Sequence, residues 1–218
     1  MDIKTILNPL AEMAYPVEFS MDTLKNLPSY AKRLAYVKSM IPQLASGSSR
    51  VVFKVDDEKV LKVAKNEKGI SQNDSELDWG KKNYNIVAKV FDFDDDYKFL
   101  EMEFAKKATP NQFKTIVGFS LNDIGLFLYN KGYDHNPRKY GQYARRKEQD
   151  STIEQAMNDS EWVQELVDLC INFGYSMPGD FGRISTYGIV NRGTLGDEVV
   201  ITDYGLTEDV YDTHYKRK

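Results

Sequence analysis

Four polar features follow one another along this chain in an order that suits phosphate chemistry. The first is a small turn, Gly47-Ser48-Ser49, placed directly before the β-rich run Arg50–Val55. Backbone N–H groups in such a turn can approach a phosphate closely, because glycine has no side chain to obstruct it. With a single glycine, the turn by itself equally suits an ordinary lead-in to a hairpin.

Lys62 and Glu76 are the second and third features. Lys62 lies inside the apolar run Val60–Ala64, where period-two alternation places it on the same side as Val60 and Ala64. A charged group among inward-facing small residues has to be paired or functional. Glu76, on the next predicted helix, can reach this ammonium and hold it toward a phosphate. The alternatives are an outward lysine at a sheet edge and an ordinary surface glutamate.

The fourth feature is a carboxylate that directly follows an apolar strand. Asp203 comes after Val199–Thr202 and is followed by Tyr204 and Gly205. Mg²⁺ prefers oxygen ligands and shares the oxygens of a bound phosphate, so Asp203 is a good position for a metal ligand. This is the most specific of the four features.

Hydrophobic periodicity predicts the elements that must position these residues. Residues 1–45 are predicted to be helical, and residues 46–105 to run strand, strand, helix, strand, strand. The second half is predicted to be mainly helical, with two short strands near its end. The predicted elements are strands at Arg50–Val55, Lys59–Ala64, Asn85–Phe93, Tyr97–Phe104, Tyr187–Val190 and Glu198–Thr202, and helices at Lys68–Lys81, Leu121–Asn130 and Ser151–Phe173.

Two local patterns refine this prediction. Ser120 and Asp123 form a loose capping box, with Asp in place of Glu or Gln, at the start of the helix at Leu121. Tyr133–Gln149 is predicted to be a surface insert, because its glycines, its proline and its basic run do not suit a buried helix. That basic run, Arg138–Lys147, also contains tyrosines and can touch phosphates, but a solvated face is the simpler interpretation.

Composition bounds the class of protein. The chain has 218 residues, a net charge of −4 and 41% hydrophobic residues, which is ordinary for a soluble globular protein. The mild acidity gives no general attraction to nucleic acid. Its single cysteine, Cys170, excludes an intramolecular disulfide and suits a reducing compartment. Cys170 is interpreted as a small buried hydrophobe, with a catalytic thiol as the alternative. No apolar stretch approaches the ~20 residues of a membrane span, and no secretion signal is expected.

Together, residues 44–206 resemble the protein-kinase-like fold. Gly47-Ser48-Ser49 is similar to the glycine-rich loop, Lys62 to the phosphate-binding lysine, and Glu76 to its helix partner. The resemblance implies an α+β, two-lobed fold with a small antiparallel β lobe, a reduced and mainly helical lobe, and an N-terminal helical extension. The expected domains are residues 1–45, 46–105 and 106–218.

The same resemblance implies further site residues. Phe99–Ala105 is similar to the last small-lobe strand and hinge, so the backbone of Glu103 and Ala105 is expected to meet an adenine. Asp203-Tyr204-Gly205 is similar to the Asp-Phe-Gly metal motif. The chain is most similar to small, divergent kinase-like proteins of large bacteriophages, some of them pseudokinases.

The catalytic loop departs from the kinase pattern. Asp180 can stand for the catalytic base, but Ser185 or Thr186 occupies the place of the Asn that holds a second metal. A hydroxyl is expected to hold Mg²⁺ less firmly than a carboxamide oxygen does. No Ala-Pro-Glu follows Asp203, and the chain ends thirteen residues after Gly205. Phosphorylation of protein substrates in the usual way is therefore not expected.

Three functions remain open at this point. The first is a protein that binds Mg·ATP and transfers phosphate weakly or atypically, in the cytoplasm of a bacterial host. The second is a non-catalytic pseudokinase scaffold with a protein partner, such as a phage structural factor in the virion or a host-takeover factor. The third is a phosphotransferase for a small molecule, with Arg138–Lys147 and the helix at Ser151 as the walls of the acceptor pocket.

Overall fold

The computed structural model describes residues 15–82, 84–136, 145–172, 181–193 and 196–215. The chain divides into two compact units, the first comprising Met1–Lys82 and Lys89–Phe104, and the second comprising Asn83–Ala88 and Ala105–Lys218. The first unit is built on an antiparallel sheet, and the second is mainly helical. The predicted α+β class, with a small antiparallel β lobe and a reduced helical lobe, is confirmed.

The first unit contains a five-stranded antiparallel sheet in the order β1-β2-β3-β5-β4. Hydroxyl caps start its first two helices, since Ser20 accepts from the Thr23 N–H and Ser29 from the Lys32 N–H. The elements are α1 (Met21–Asn26), α2 (Tyr30–Lys38), β1 (Gln43–Ser46), β2 (Arg50–Lys54), β3 (Lys59–Ala64), α3 (Glu67–Gly80), β4 (Val90–Phe93) and β5 (Phe99–Glu103).

One face of this sheet forms a core with the N-terminal helices. Leu61 and Val63 of β3 are fully buried there. Because side chains alternate along a strand, Lys62 lies on the opposite face of the sheet. The other buried members of the core are Leu24, Val37, Ile41, Val51, Phe53 and Phe99.

The second unit combines helices with a three-stranded sheet in the order β6-β7-β8. Its core includes a ring cluster in which the centroid of Phe113 lies 4.7 Å from that of Tyr187 and 5.8 Å from that of Trp162. The elements are β6 (Lys106–Lys107), α4 (Pro110–Val117), α5 (Leu121–His135), α6 (Ser151–Asn158), α7 (Glu161–Asn172), a 3₁₀ turn (Ile184–Thr186), β7 (Tyr187–Asn191), β8 (Asp197–Ile201) and α8 (Glu208–His214).

The single helix predicted at Ser151–Phe173 is wrong. Two helices, α6 and α7, meet at Asp159 and Ser160. The Ser160 hydroxyl accepts from the Val163 N–H at 3.4 Å, and its carbonyl accepts from the Gln164 N–H at 2.9 Å. Ser160 therefore begins a new helix, although the apolar periodicity continues across the break. Phe173 lies outside the described residues.

The strand predicted at Asn85–Phe93 is half as long as expected. Within the predicted range, only Val90–Phe93 forms a strand of the first unit. The preceding residues belong to the second unit, where the Ile86 carbonyl accepts from the Ile201 N–H at 2.7 Å and the Ala88 N–H donates to the Ile201 carbonyl at 2.9 Å. The predicted hairpin therefore forms between β4 and β5, while Ile86 and Ala88 pair with β8 instead.

The surface insert predicted at Tyr133–Gln149 starts later than expected and is anchored at its end. At its start, α5 continues through His135. At its end, the side-chain amide of Asn130, only 1% exposed, accepts from the Lys147 N–H at 2.9 Å and donates to the Lys147 carbonyl at 3.0 Å. The chain around Lys147 is exposed but anchored to α5. Residues 137–144 lie outside the described part.

The capping box predicted at Ser120 and Asp123 is confirmed at the start of α5. Cys170 is partly buried, and this burial raises the pKa of its thiol, which suits a small hydrophobe better than a catalytic thiol. Within the ranges that the structure describes, no helix has the length and apolarity needed to cross a membrane.

Candidate nucleotide site

The buried ion pair between Lys62 and Glu76 is the centre of the site in the first unit. Lys62 Nζ lies 3.0 Å from Glu76 Oε1 and 2.9 Å from Glu76 Oε2. Lys62 is 5% exposed and Glu76 0%. The side chain of Asn66 accepts from the Gly69 N–H and starts α3, whose third turn carries Glu76 over the face of β3 where Lys62 lies. The pair predicted from the sequence is confirmed.

Arg50 is a third member of this cluster that the sequence did not identify. Its Nη1 lies 2.8 Å from Glu76 Oε2 and 3.3 Å from Asn73 Oδ1. In the β2–β3 ladder Val52 opposes Lys62 and Arg50 opposes Ala64. Arg50 is therefore a diagonal neighbour of Lys62 on the same face of the sheet. The ladder register would have revealed this, but the residue pattern alone does not fix it.

The carbonyl groups of the turn at Gly47-Ser48-Ser49 are fixed by the connection between β3 and α3. Lys65 Nζ donates to the Gly47 carbonyl at 2.8 Å, and the Lys65 N–H donates to the Ser49 carbonyl at 2.7 Å. Asn66 Nδ2 donates to the Ser48 carbonyl at 3.2 Å. All three carbonyls are thus held by one short segment, which fixes the conformation of the turn.

The amide groups of the same turn have a different environment. Within the described ranges, no acceptor meets the backbone N–H of Ser48 or Ser49. Successive N–H groups of this kind can bind an anion. Ser49 contributes only its backbone, because its buried hydroxyl donates to Gln72 Oε1 at 2.5 Å. The turn can therefore act as a phosphate cradle through its amides.

In the segment expected to meet an adenine, the N–H groups of Glu103 and Ala105 differ in whether they already donate a hydrogen bond. The Glu103 N–H donates to the Lys89 carbonyl at 2.8 Å, and Glu103 Oε2 accepts from the Lys89 N–H at 3.1 Å. Among the described residues, no acceptor meets the N–H of Ala105. Ala105 can donate to a ligand, whereas the amide of Glu103 is already used within the first unit.

In the second unit, Ser185 and Asp203 lie just beyond the paired ends of β7 and β8. The Thr202 N–H donates to the Thr186 carbonyl at 3.0 Å, just beyond the last ladder pair, Tyr187 and Ile201. Ser185 belongs to the 3₁₀ turn that precedes β7, and Asp203 follows β8 by two residues. Both residues are exposed. The two predicted metal ligands therefore both flank the same end of the β7–β8 ladder along the chain.

The donor set at Ser185 and Asp203 fits Mg²⁺ better than a transition metal. No group of three or more His, Cys, Asp or Glu in the described part of the chain could enclose a metal ion. Mg²⁺ needs no such enclosure, since it is bound by one or two carboxylates and completes its shell with waters and phosphate oxygens. Asp180, the predicted base, lies outside the described residues.

Comparison with known proteins finds similarity only among solved structures. No family model matches the chain, and no curated protein matches it. A streptomycin–ATP complex of APH(2")-IIa is 14% identical with a TM-score of 0.32, covering 87% of this chain and 73% of that one. The ADP-bound aminoglycoside phosphotransferase APH(2'')-Ib is 16% identical with a TM-score of 0.31, covering 81% and 69%. A gentamicin complex of APH(2")-IIa is 14% identical with a TM-score of 0.32, covering 88% and 71%. Superpositions this loose do not bear on what this chain binds.

Proposed function

We propose that this protein binds Mg·ATP and transfers its γ-phosphate weakly or atypically. The observation that carries the proposal is the buried Lys62–Glu76 pair, with the Ser48 and Ser49 amides just before β2, the strand that pairs with β3. A lysine ammonium in this position can be directed at a phosphate by its carboxylate partner. The Ser48 and Ser49 amides would bind phosphate oxygens, and the backbone of Glu103 and Ala105 would face the adenine.

Asp203 and Ser185 would bind Mg²⁺, which would neutralise charge on the phosphates. The neighbour of Asp203, Tyr204, is fully buried, and its hydroxyl donates to the Ala88 carbonyl at 2.8 Å. This anchor fixes the backbone beside the metal ligand.

Transfer would move one phosphoryl group to an acceptor hydroxyl. The acceptor oxygen forms a bond to the γ-phosphorus, the bond from that phosphorus to the β–γ bridging oxygen breaks, and ADP leaves. The carboxylate of Asp180 takes the hydroxyl proton. We infer slow transfer because Ser185 offers a hydroxyl where kinases have an Asn.

A thermal-shift titration with ATP, with and without Mg²⁺, tests this proposal. Ligand at about 100 times its dissociation constant adds about 2.7 kcal/mol of stability. For a chain of this size, the melting temperature should rise by roughly 5–10 °C. Asp203→Ala should abolish the Mg²⁺-dependent part of this rise. The matched control, Asp95→Ala, removes the same charge from an exposed turn and should leave the rise intact.

Two results would contradict parts of this proposal. An unchanged melting temperature in millimolar Mg·ATP would contradict the proposal and leave the non-catalytic scaffold as the better account. Rapid turnover on a generic peptide would contradict the inference of weak transfer.

A further inference from the structure

A cavity of about 460 Å³ lies along one side of α5, in the second unit. Its volume is within the range of small-molecule sites, roughly 300–1,000 Å³. Leu121, Gly125 and Tyr129 are spaced four residues apart and form one stripe of its wall. Lys147 and Gly182 complete the wall from outside the helix. The cavity is thus built by residues from three separate segments of the chain.

Gly125 creates the hollow at the centre of this stripe. It has no positive φ, and a Cβ added to it would meet only the Gly182 Cα, at an ordinary contact distance of 3.7 Å. Glycine inside a helix costs about 1 kcal/mol relative to alanine. Neither backbone geometry nor packing requires a glycine here. Its effect is to leave open the space that a side chain at this position would occupy.

Lys147 is held at the wall of the cavity by its backbone and by an aromatic ring. The buried amide of Asn130 makes hydrogen bonds with both the N–H and the carbonyl of Lys147. The Nζ of Lys147 lies 4.5 Å from the ring centroid of Tyr129. Within the described ranges, no carboxylate pairs with this ammonium. A cation is therefore presented beside an aromatic face, at a position that the backbone fixes.

We propose that this cavity binds a small aromatic molecule that carries a carboxylate and a hydroxyl group. The carboxylate would pair with Lys147, the ring would lie in the hollow at Gly125 beside Tyr129, and the side chains of Leu121 and Leu126 would cover its apolar surface. A polycationic ligand would meet a charge of the same sign and is disfavoured.

The hydroxyl gives this ligand a place in the proposed reaction. Gly182 follows the predicted base, Asp180, by two positions in the chain. We infer that the bound molecule is the phosphate acceptor. This acceptor role rests on the proposed phosphotransfer. Binding in the cavity is independent of that step.

Saturation-transfer NMR with 4-hydroxybenzoate and the full chain, without nucleotide, tests the cavity. We expect the wild type to bind, and Lys147→Ala to weaken binding by about tenfold, as loss of a charged hydrogen bond does. Gly125→Leu, which fills the hollow, should abolish binding. Lys114→Ala, which removes an exposed charge outside the cavity, should change nothing. Neutral 4-hydroxybenzyl alcohol should bind more weakly than the acid.

The proposal fails if the wild type gives no saturation transfer at millimolar probe, or if both cavity variants bind as well as the wild type while retaining its melting temperature. Because nucleotide is absent, this failure leaves Mg·ATP binding untouched. Conversely, probe binding in a protein that ignores Mg·ATP supports the cavity and contradicts the proposed function.

Discussion

Glu76 connects the two buried cations of the first unit. Its carboxylate is fully buried, and it accepts from Lys62 and from Arg50, which lie on neighbouring strands. Removing a common partner from buried charges is costly, because the cations lose the interaction that offsets their desolvation. Removing Lys62 is milder, since Glu76 keeps Arg50.

We therefore expect Glu76→Ala to lower the free energy of unfolding by about 3–5 kcal/mol, and Lys62→Met by clearly less. Urea denaturation of the two variants measures both values. Glu148→Ala, which removes an exposed carboxylate, is the matched control for Glu76. An equal loss in both cluster variants would show that Arg50 does not support Glu76 in the way its 2.8 Å contact indicates.

Only some residues of this cluster could be identified from the sequence. Lys62 and Glu76 could be found because a charge inside an apolar strand needs a partner and the next helix supplies one. Arg50 could not, because its partnership depends on the ladder register, which no local pattern fixes. The hydroxyl of Ser49 also gives no signal in the sequence, since its acceptor, Gln72, lies on a helix 23 residues away.

At the scale of elements, the start of α3 determines the shape of the turn at Gly47-Ser48-Ser49. Gly69 lies in the first turn of this helix, where an added Cβ would be 2.3 Å from the Ser49 carbonyl oxygen and 3.0 Å from the Ala64 Cα. Both neighbours are backbone atoms that cannot rotate away. Glycine is required at Gly69 by this close approach of helix, strand and turn.

Two helical glycines should therefore respond in opposite ways to alanine. Gly69→Ala should destabilise the protein by more than 1 kcal/mol and weaken Mg·ATP binding, because the turn must move. Gly125→Ala should stabilise it by about 0.5–1 kcal/mol, because its Cβ has room and alanine favours a helix. Thermal unfolding of both variants measures the sign. A neutral Gly69→Ala would contradict the close packing of the turn.

The segment before α1 is attached to the sheet by a partly buried phenol. Tyr15 donates to Glu101 Oε2 at 2.5 Å, and Glu101 Oε1 also lies 3.1 Å from Lys59 Nζ. Burial, followed by this hydrogen bond, raises the pKa of Tyr15 above its ordinary value. The neutral phenol is therefore favoured by folding.

This shift predicts a pH dependence with a definite sign. A phenol whose pKa is raised in the folded state contributes stability that is complete below its unfolded pKa of about 10 and is lost as the pH rises above it. Tyr15→Phe should thus cost about 1 kcal/mol near neutral pH, and the difference from wild type should shrink above about pH 10. Urea unfolding of both proteins at neutral and alkaline pH checks this. A difference that does not change with pH would contradict it.

Elements were predictable where local signals and tertiary pairing agree. The hairpin of β2 and β3, the helix α3 and the capping box at Ser120 follow from alternation, turns and caps that act within a few residues. The break at Ser160 was not predictable, because a serine inside a periodic apolar pattern is usually tolerated on a helix surface. The pairing of Ile86 and Ala88 with β8 was hidden because it joins segments more than a hundred residues apart.

At the scale of the whole molecule, each of the two units carries part of the proposed machinery. The first contains the turn at Gly47-Ser48-Ser49 and the Lys62–Glu76 pair. The second contains Asp203, Ser185 and the cavity beside α5. The α+β plan could be predicted, because a β-rich stretch followed by a helical stretch is visible in the periodicity. The membership of Asn83–Ala88 in the second unit could not, since it depends on long-range hydrogen bonds.

The central claim is that Lys62 binds a nucleotide phosphate, and isothermal titration calorimetry tests it most directly. Wild type, Lys62→Met and the control Lys54→Met, which removes an exposed lysine paired with Asp57, would each be titrated with Mg·ATP and with adenosine. We expect Lys62→Met to weaken Mg·ATP binding by about tenfold or more and to leave adenosine binding unchanged, with the control matching wild type throughout. Equal affinity of wild type and Lys62→Met for Mg·ATP, or no binding of Mg·ATP by the wild type, would contradict the claim.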